Sequence, residues 1–251
     1  MPTIDLNCDM GESFGAYVIG ADADVMPSIS SASIACGYHG GDPSGMRRTV
    51  RLAREAGVSV GAHPGLPDLA GFGRREMRVS PQDVEDMVLY QIGALAALAN
   101  AEGVRLRHVK AHGALYNMAC RDRAVAGAIA RAVRLFDRSL VLFGLPGSEL
   151  TRAGMAAGLM VAAEGFADRS YEPDGSLTPR TRPDAVIHDA ATVVRRAVTM
   201  VIDGRVLATD GSEIALRIDS LCTHGDTPGA GELTRAVRAG LEAAGVTIAP
   251  V

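Results

Sequence analysis

Short apolar runs alternate along the chain with longer stretches in which apolar residues return every three or four positions. The first pattern suits buried strands and the second suits amphipathic helices, so the alternation predicts βα units around a parallel sheet. The predicted strands are TIDLNCD (3–9), SASIAC (31–36), VSVGAH (58–63), VRLRHVKAH (104–112), SLVLFGL (139–145), LMVAAEGF (159–166) and ALRIDSLCTHG (215–225). Helix ends are readable between them. Asp42 is placed to cap a helix that begins at Pro43 and stops at Gly57, and Ser80 with Pro81 starts another that stops at Gly103. Further helices are expected in 121–136, 146–157, 190–201 and 231–245, and VIDGRVLATDGSEIAL (201–216) reads as a β-hairpin inserted before the last strand. No linker or repeat divides the chain, so residues 1–251 are expected to form a single domain, an irregular TIM-like (βα) barrel of about seven strands. An open doubly wound sheet is the rival, but CDMGESFGAY after the first strand lacks the glycine spacing of a dinucleotide site and carries acids where a pyrophosphate would sit.

Polar residues interrupt the apolar runs at particular places. Asp5, Asn7 and Asp9 alternate with Ile4, Leu6 and Cys8, so in a strand the polar three share one face, which must look into a barrel whose outside packs on helices. Ionisable groups then recur at strand C-termini: Asp9 and Glu12; His39 and Asp42; His63; Lys110 and His112; Glu164, Asp168 and Arg169; His224 and Asp226. That rim is where βα barrels build active sites. Some of these residues have plainer uses. Asp42 is an ordinary N-cap, Asp5 and Asn7 suit a buried hydrogen-bonded network, and His108 and His188 suit structural or surface positions. Arg74 and Arg75, in a loop rich in glycine and proline, suit either a solvated turn or a cover over an anionic ligand.

Charge and composition narrow the chemistry. The chain has 25 basic and 29 acidic side chains, net −4, with no basic run of the kind that tracks nucleic acid. No apolar stretch is long enough to span a bilayer, and MPTIDLNCDMGE lacks the pattern of a signal peptide. Cys8, Cys36, Cys120 and Cys222 are widely spaced and read as reduced thiols, so a soluble cytoplasmic protein is expected. Aromatic residues make up 4% of the chain and tryptophan is absent, which points away from a sugar-stacking cleft and toward a small polar substrate. Carboxylates and imidazoles at one rim can hold a divalent metal that activates water, or work as general acid and base without one. Lys110 argues for a substrate or transferred group with negative charge, and burial near Arg169 is expected to lower its pKa. No GxxxxGK[ST] is present, so a bound nucleotide would need another cradle.

Taken in order, IDLNCDMGESFGAY, SIACGYHGGDP, GAHPGLPDLAGFGRR, KAHGALYN, EGFADRSYEPDGSLTPR and CTHGDTPGA resemble the LamB/YcsF family, the A subunits of bacterial 5-oxoprolinase. Ser33, Leu66 and Ala111 stand where that family usually has asparagine, tyrosine and proline, and none of these departures removes an ionisable group. The resemblance implies a barrel similar to those of glycoside hydrolases and deacetylases. It implies a hydrolase that opens the lactam of 5-oxoproline to L-glutamate at the expense of ATP with Mg²⁺, together with partner subunits B and C, as a possible homo-oligomer. It places the family's motif positions on Asp9, Glu12, His39, His63, Lys110, His112, Glu164, Asp168, Arg169, His224 and Asp226; the first ten are the expected catalytic group, and Asn7, Arg74 and Asp226 are the expected substrate contacts. Asp9, His39 or His112 would serve as the base for water, and Lys110 with Arg169 would steady a transferring phosphoryl group. By likeness to deacetylase barrels, Asp9, His39 and His63 are the candidates for holding a metal. Two other functions fit the same residues: a metal-dependent amidohydrolase of a small substrate, and a non-catalytic subunit that binds the lactam for its partners.

Overall fold

Every second residue of the first strand is apolar, and the structure, a computed structural model describing residues 1–225 and 229–251, uses that alternation to separate two environments. Strand β1 (Thr3–Met10) sends Ile4, Leu6, Cys8 and Met10 into the main apolar core. Its polar residues Asp5, Asn7 and Asp9 belong to hydrogen-bond networks with other strands. The chain continues through α1 (Asp22–Val25), β2 (Ser31–Ala35), α2 (Pro43–Ala56), β3 (Ser59–His63), α3 (Pro81–Ala101) and β4 (His108–Val109). Then come α4 (Gly113–Arg121), α5 (Arg123–Phe136), β5 (Val141–Gly144), α6 (Glu149–Ala156), β6 (Met160–Phe166) and α7 (Ala190–Ile202). The antiparallel hairpin β7 (Arg205–Leu207) and β8 (Glu213–Ala215) precedes β9 (Ser220–His224), α8 (Ala230–Ala243) and β10 (Thr247–Ile248). Strands β1 to β6 pair in sequence, all parallel, and β9 pairs with both β6 and β1, which closes a seven-stranded barrel.

The helix ends follow their local chemistry. Asp42 accepts from Gly45 N at 2.7 Å, and α2 ends on Gly57 in the left-handed region. Ser80 and Asp83 form a reciprocal capping box at the start of α3. The helices pack Val88, Ile92, Leu95, Ile129 and Val133 around the strands, all fully buried. A core position such as Leu6 is expected to cost about 2–5 kcal/mol if cut to alanine.

Three local expectations change. Residues 104–107 are not strand; β4 is only two residues long, and beyond it the chain still follows β3, with Lys110 N donating to Ala62 O and His112 N to Pro64 O. Helix α4 starts immediately after His112, in a stretch for which the pattern predicted no element. Its first residue, Gly113, has φ 51°, and a Cβ there would lie 2.7 Å from the carbonyl oxygen of Gly73, so only glycine fits. Strand β10, hydrogen-bonded to the start of β1, has too short a pattern to be visible in sequence. The hairpin falls where the two Asp-Gly turns placed it. The four cysteines are free, and among the described residues no helix is long and apolar enough to cross a membrane. Asp226 lies outside the described residues.

Candidate active site

The barrel interior is polar at its centre, and it converges on Lys110. The ammonium stands 2.7 Å from Asp9 Oδ1, 2.9 Å from Glu164 Oε1, 3.1 Å from Asn7 Oδ1 and 2.9 Å from Cys222 Sγ, groups supplied by β1, β6 and β9. Below it, Asn7 donates to Glu164 and Ser220, while Ser220 and Ser30 both donate to Asp5. A buried ammonium survives only when paired and hydrogen-bonded, and these contacts meet that need. The expected lowering of the Lys110 pKa is reversed: burial acts downward, but the carboxylate of Asp9, with Cys222 and Glu164 behind it, outweighs burial and holds the group well above its ordinary value. Asp9 mirrors this. Burial would raise its carboxyl, but His63 and Lys110 hold it well below the usual carboxylate range.

Beside this network His39, His63 and His112 form a second group with Glu12. Carbonyl oxygens can only accept, so two ring nitrogens are fixed as N–H donors: His63 Nδ1, 2.7 Å from Lys110 O, and His112 Nε2, 2.8 Å from Phe72 O. Phe72 reaches that position with φ 54°, a conformation a bulky residue adopts only when its surroundings enforce it. The remaining nitrogens, His63 Nε2 and His112 Nδ1, face each other at 2.9 Å. Asp9 Oδ2 is 3.3 Å from the first and Glu12 Oε1 is 3.6 Å from the second. His39 stacks face to face on His112 with ring centres 3.6 Å apart, and its Nε2 lies 3.5 Å from Glu12 Oε1. Burial, followed by the neighbouring imidazoles, pushes His39 and His112 well below the ordinary histidine value, so both are neutral near pH 7.

On the opposite side the rim is organised differently. His224 Nδ1 donates to Asp168 Oδ2 at 2.6 Å, and its Nε2 accepts from Arg180 Nη2 at 2.9 Å. Guanidinium groups only donate, so this histidine is fixed as the neutral Nδ1–H form and serves to hold Arg180 in place. Burial would raise Asp168, but its contact with His224 leads in holding it below the usual carboxylate range, with the guanidinium groups of Arg169 and Arg180 adding to it. Arg169 donates to Thr178 O and Ala185 O, tying residues 178–185 across the barrel mouth. Burial, with Arg180 adding to it, lowers its pKa to about 10.

Between the two sides lies a small pocket that opens at the barrel mouth. Of the residues expected at the site, Asp9, His63, Arg74, Lys110, His112, Arg169 and His224 line it. Glu12, His39, Glu164 and Asp168 are buried behind them, and Asn7 lies beneath Lys110 as part of the supporting network. Sequence reasoning missed Tyr116, Asn117, Phe166 and Arg180, which also line the pocket. The first two sit on α4, whose amphipathic pattern begins directly after the KAH segment; Arg180 sits in a loop whose pattern carries no periodicity. His108 has the structural setting expected of it, with Nε2 3.1 Å from Ser33 Oγ and its ring stacked on Phe143, and His188 is exposed.

Among the described residues two groups have the donor atoms to hold a metal: Glu12, His39, His63 and His112, and separately Asp9, Cys222 and His224. The expected trio is thereby divided. His39 and His63 belong to the first group, whereas Asp9 belongs to the second, with Oδ1 on Lys110 and Oδ2 3.3 Å from His63 Nε2. The first group suits a metal better, because the outer nitrogens of His63 and His112 donate to backbone carbonyls, which leaves lone pairs directed inward.

A closed parallel barrel with buried imidazoles and carboxylates facing a small cationic pocket at its C-terminal rim is the architecture of a barrel hydrolase. The family model for LamB/YcsF matches residues 4–251, and the chain belongs to the LamB/YcsF family. It is 62% identical over 245 residues to the 5-oxoprolinase A subunit of Symbiobacterium thermophilum, covering 98% of this chain and 94% of that one. It is 57% identical over 248 residues to the protein of the same name from Tolumonas auensis, covering 99% of each. The crystal structure of the lactam utilization protein from Thermus thermophilus is similar with a TM-score of 0.94 at 52% identity, covering 99% of this chain and 100% of that one.

Proposed function

We propose that this chain is the A subunit of an ATP-dependent 5-oxoprolinase and that it holds the lactam in the pocket at the barrel mouth. Full-length identity to proteins of that name supports the substrate. The single structural observation that carries the assignment is the charge pattern of the pocket: Lys110, Arg74, Arg169 and Arg180, opposite Asp9 and two imidazoles. A five-membered lactam bearing a carboxylate fits that pattern. Arg180, held by His224 and Asp168, pairs with the carboxylate, and Phe166 offers an apolar face to the ring.

The amide of a lactam resists water, and phosphorylation of its oxygen by ATP converts the carbonyl carbon into an imidate-like centre that water attacks. The ring C–N bond then breaks and the nitrogen takes a proton, which leaves an acyl phosphate on the opened chain, and a second water displaces phosphate to give L-glutamate. Lys110 faces the developing negative charge, and water is activated on the side of the pocket formed by His63 and His112. A groove adjoining the pocket past Arg74 and Arg180 also carries Arg121 and Arg182, and suits the nucleotide phosphates. Mg²⁺ bound to ATP supplies charge neutralisation for that transfer. The name borne by the relatives supports partner subunits, B and C, that complete the enzyme.

Glutamate release from 5-oxoproline is the test, with this chain alone and mixed with subunits B and C, with and without ATP and Mg²⁺. Release that needs ATP supports the assignment. Amide hydrolysis by the chain alone, independent of ATP and abolished by a chelator, would replace it with a metal-dependent amidohydrolase, the function the Glu12 and histidine group favours.

A further inference from the structure

In a neutral imidazole one nitrogen carries the hydrogen and the other a lone pair. His63 Nδ1 and His112 Nε2 both donate to backbone carbonyls, at 2.7 and 2.8 Å, so unless a further cation is bound the two inner nitrogens present lone pairs to each other across 2.9 Å. Such a contact is repulsive unless a positive charge lies between or beside the nitrogens. Glu12 Oε1, 3.6 Å from His112 Nδ1, adds a negative donor to the same space, and His39 keeps two ring nitrogens fully buried without a hydrogen-bond partner.

We infer that His63 Nε2, His112 Nδ1 and Glu12 form a binding site for one first-row transition-metal dication. Nitrogens 2.9 Å apart lie within common reach of an ion with bonds of about 2.0–2.1 Å. A donor set of two imidazoles and one carboxylate selects such an ion over Mg²⁺ or Ca²⁺, which prefer oxygen. Asp9 borders the set: its Oδ1 is taken by Lys110, and its Oδ2 stands 3.3 Å from His63 Nε2. His39 is outside the set for a geometric reason: its plane is parallel to that of His112, and two stacked rings cannot both direct in-plane lone pairs at one ion. Gly65 lies against the His39 ring, where an added Cβ would fall 2.5 Å from Nδ1, and so backs the ring in its stacked orientation. His39 Nε2 faces Glu12 and supports that carboxylate from behind, as outer partners of metal ligands do.

The inference does not depend on the substrate, and it is tested on this chain alone. Chelator-treated protein is titrated with Zn²⁺ by calorimetry and with Co²⁺ by visible absorbance, and metal content is measured after dialysis. One saturable ion per chain is expected, with a rise in melting temperature. His63→Ala and His112→Ala should each weaken binding by at least about 100-fold, more than the loss of an outer partner does. His224→Gln, which disables the other candidate group, should leave the stoichiometry at one. If the histidine variants do not fold, the conservative change Glu12→Gln carries the test through the same titrations. The site is overturned if wild-type protein binds neither ion saturably, or if binding survives His63→Ala and is lost in His224→Gln. In the first case the two nitrogens share a proton.

Discussion

His63 and His224 both end strands at the same rim, each with its Nδ1 donating to a buried oxygen, yet their second nitrogens meet opposite partners. Nε2 of His224 accepts from a guanidinium and is thereby satisfied; Nε2 of His63 faces another imidazole nitrogen, with the Asp9 carboxylate close by. One histidine is a finished hydrogen-bond relay that fixes Arg180. The other belongs to a group left ready for a proton or a cation. The same residue type at equivalent strand ends is therefore satisfied on one side of the pocket and left open on the other, and the partner of the second nitrogen decides which.

The strongest perturbation removes the charge that both sides share. Lys110→Met leaves Asp9 and Glu164 buried without their cation, and is expected to cost about 3–5 kcal/mol of stability in urea unfolding and to abolish measurable turnover. If stability is unchanged, the carboxylates have another counter-ion and Lys110 is not the centre of the network. Next comes the positioning side. Asp168→Asn should loosen Arg180 and raise KM for 5-oxoproline by about 10- to 100-fold, the worth of a charged hydrogen bond, with a smaller change in kcat. An equal fall in kcat with constant KM would move the Asp168–His224 pair to the chemical side of the comparison.

The smallest effect separates the barrel interior from the rim. Burial, with Lys110 nearby, lowers the His108 pKa from 6.5 to about 3. Between those values the unfolded chain binds a proton that the folded one does not, so stability falls as pH drops below about 6.5. Replacing His108 with Leu should flatten the dependence of unfolding free energy on pH between about 6 and 4 by about 1.4 kcal/mol per pH unit. An unchanged slope would mean that the ring takes up its proton inside the barrel.

Much of this arrangement could be read from the chain. Alternation in IDLNCD placed Asp5, Asn7 and Asp9 inside a barrel, and the recurrence of ionisable residues at strand ends located the rim. Caps such as Asp42 and Ser80 fixed helix starts because the side chain bonds its own backbone three residues on. Other features depend on contacts distant in sequence. The Lys110 pKa was misjudged because a single strand does not reveal that Asp9 and Glu164, from β1 and β6, meet the same ammonium. The division of the expected metal trio depends on the same contact. Arg180 escaped notice because it lies in an irregular loop whose position is set by Arg169 gripping carbonyls, a feature without periodicity. Helix α4 was hidden by its opening glycine, which local propensity counts against a helix but which the close approach of Gly73 requires.

The most direct measurement is turnover of the enzyme assembled with subunits B and C, supplied with 5-oxoproline, ATP and Mg²⁺, when this chain carries His63→Gln or His112→Gln. If water is activated at the imidazole pair, kcat for glutamate release falls by about 10²–10⁴ while KM and assembly with the partners are retained. Wild-type turnover in both variants would place the chemistry outside this barrel and leave its pocket a binding site alone.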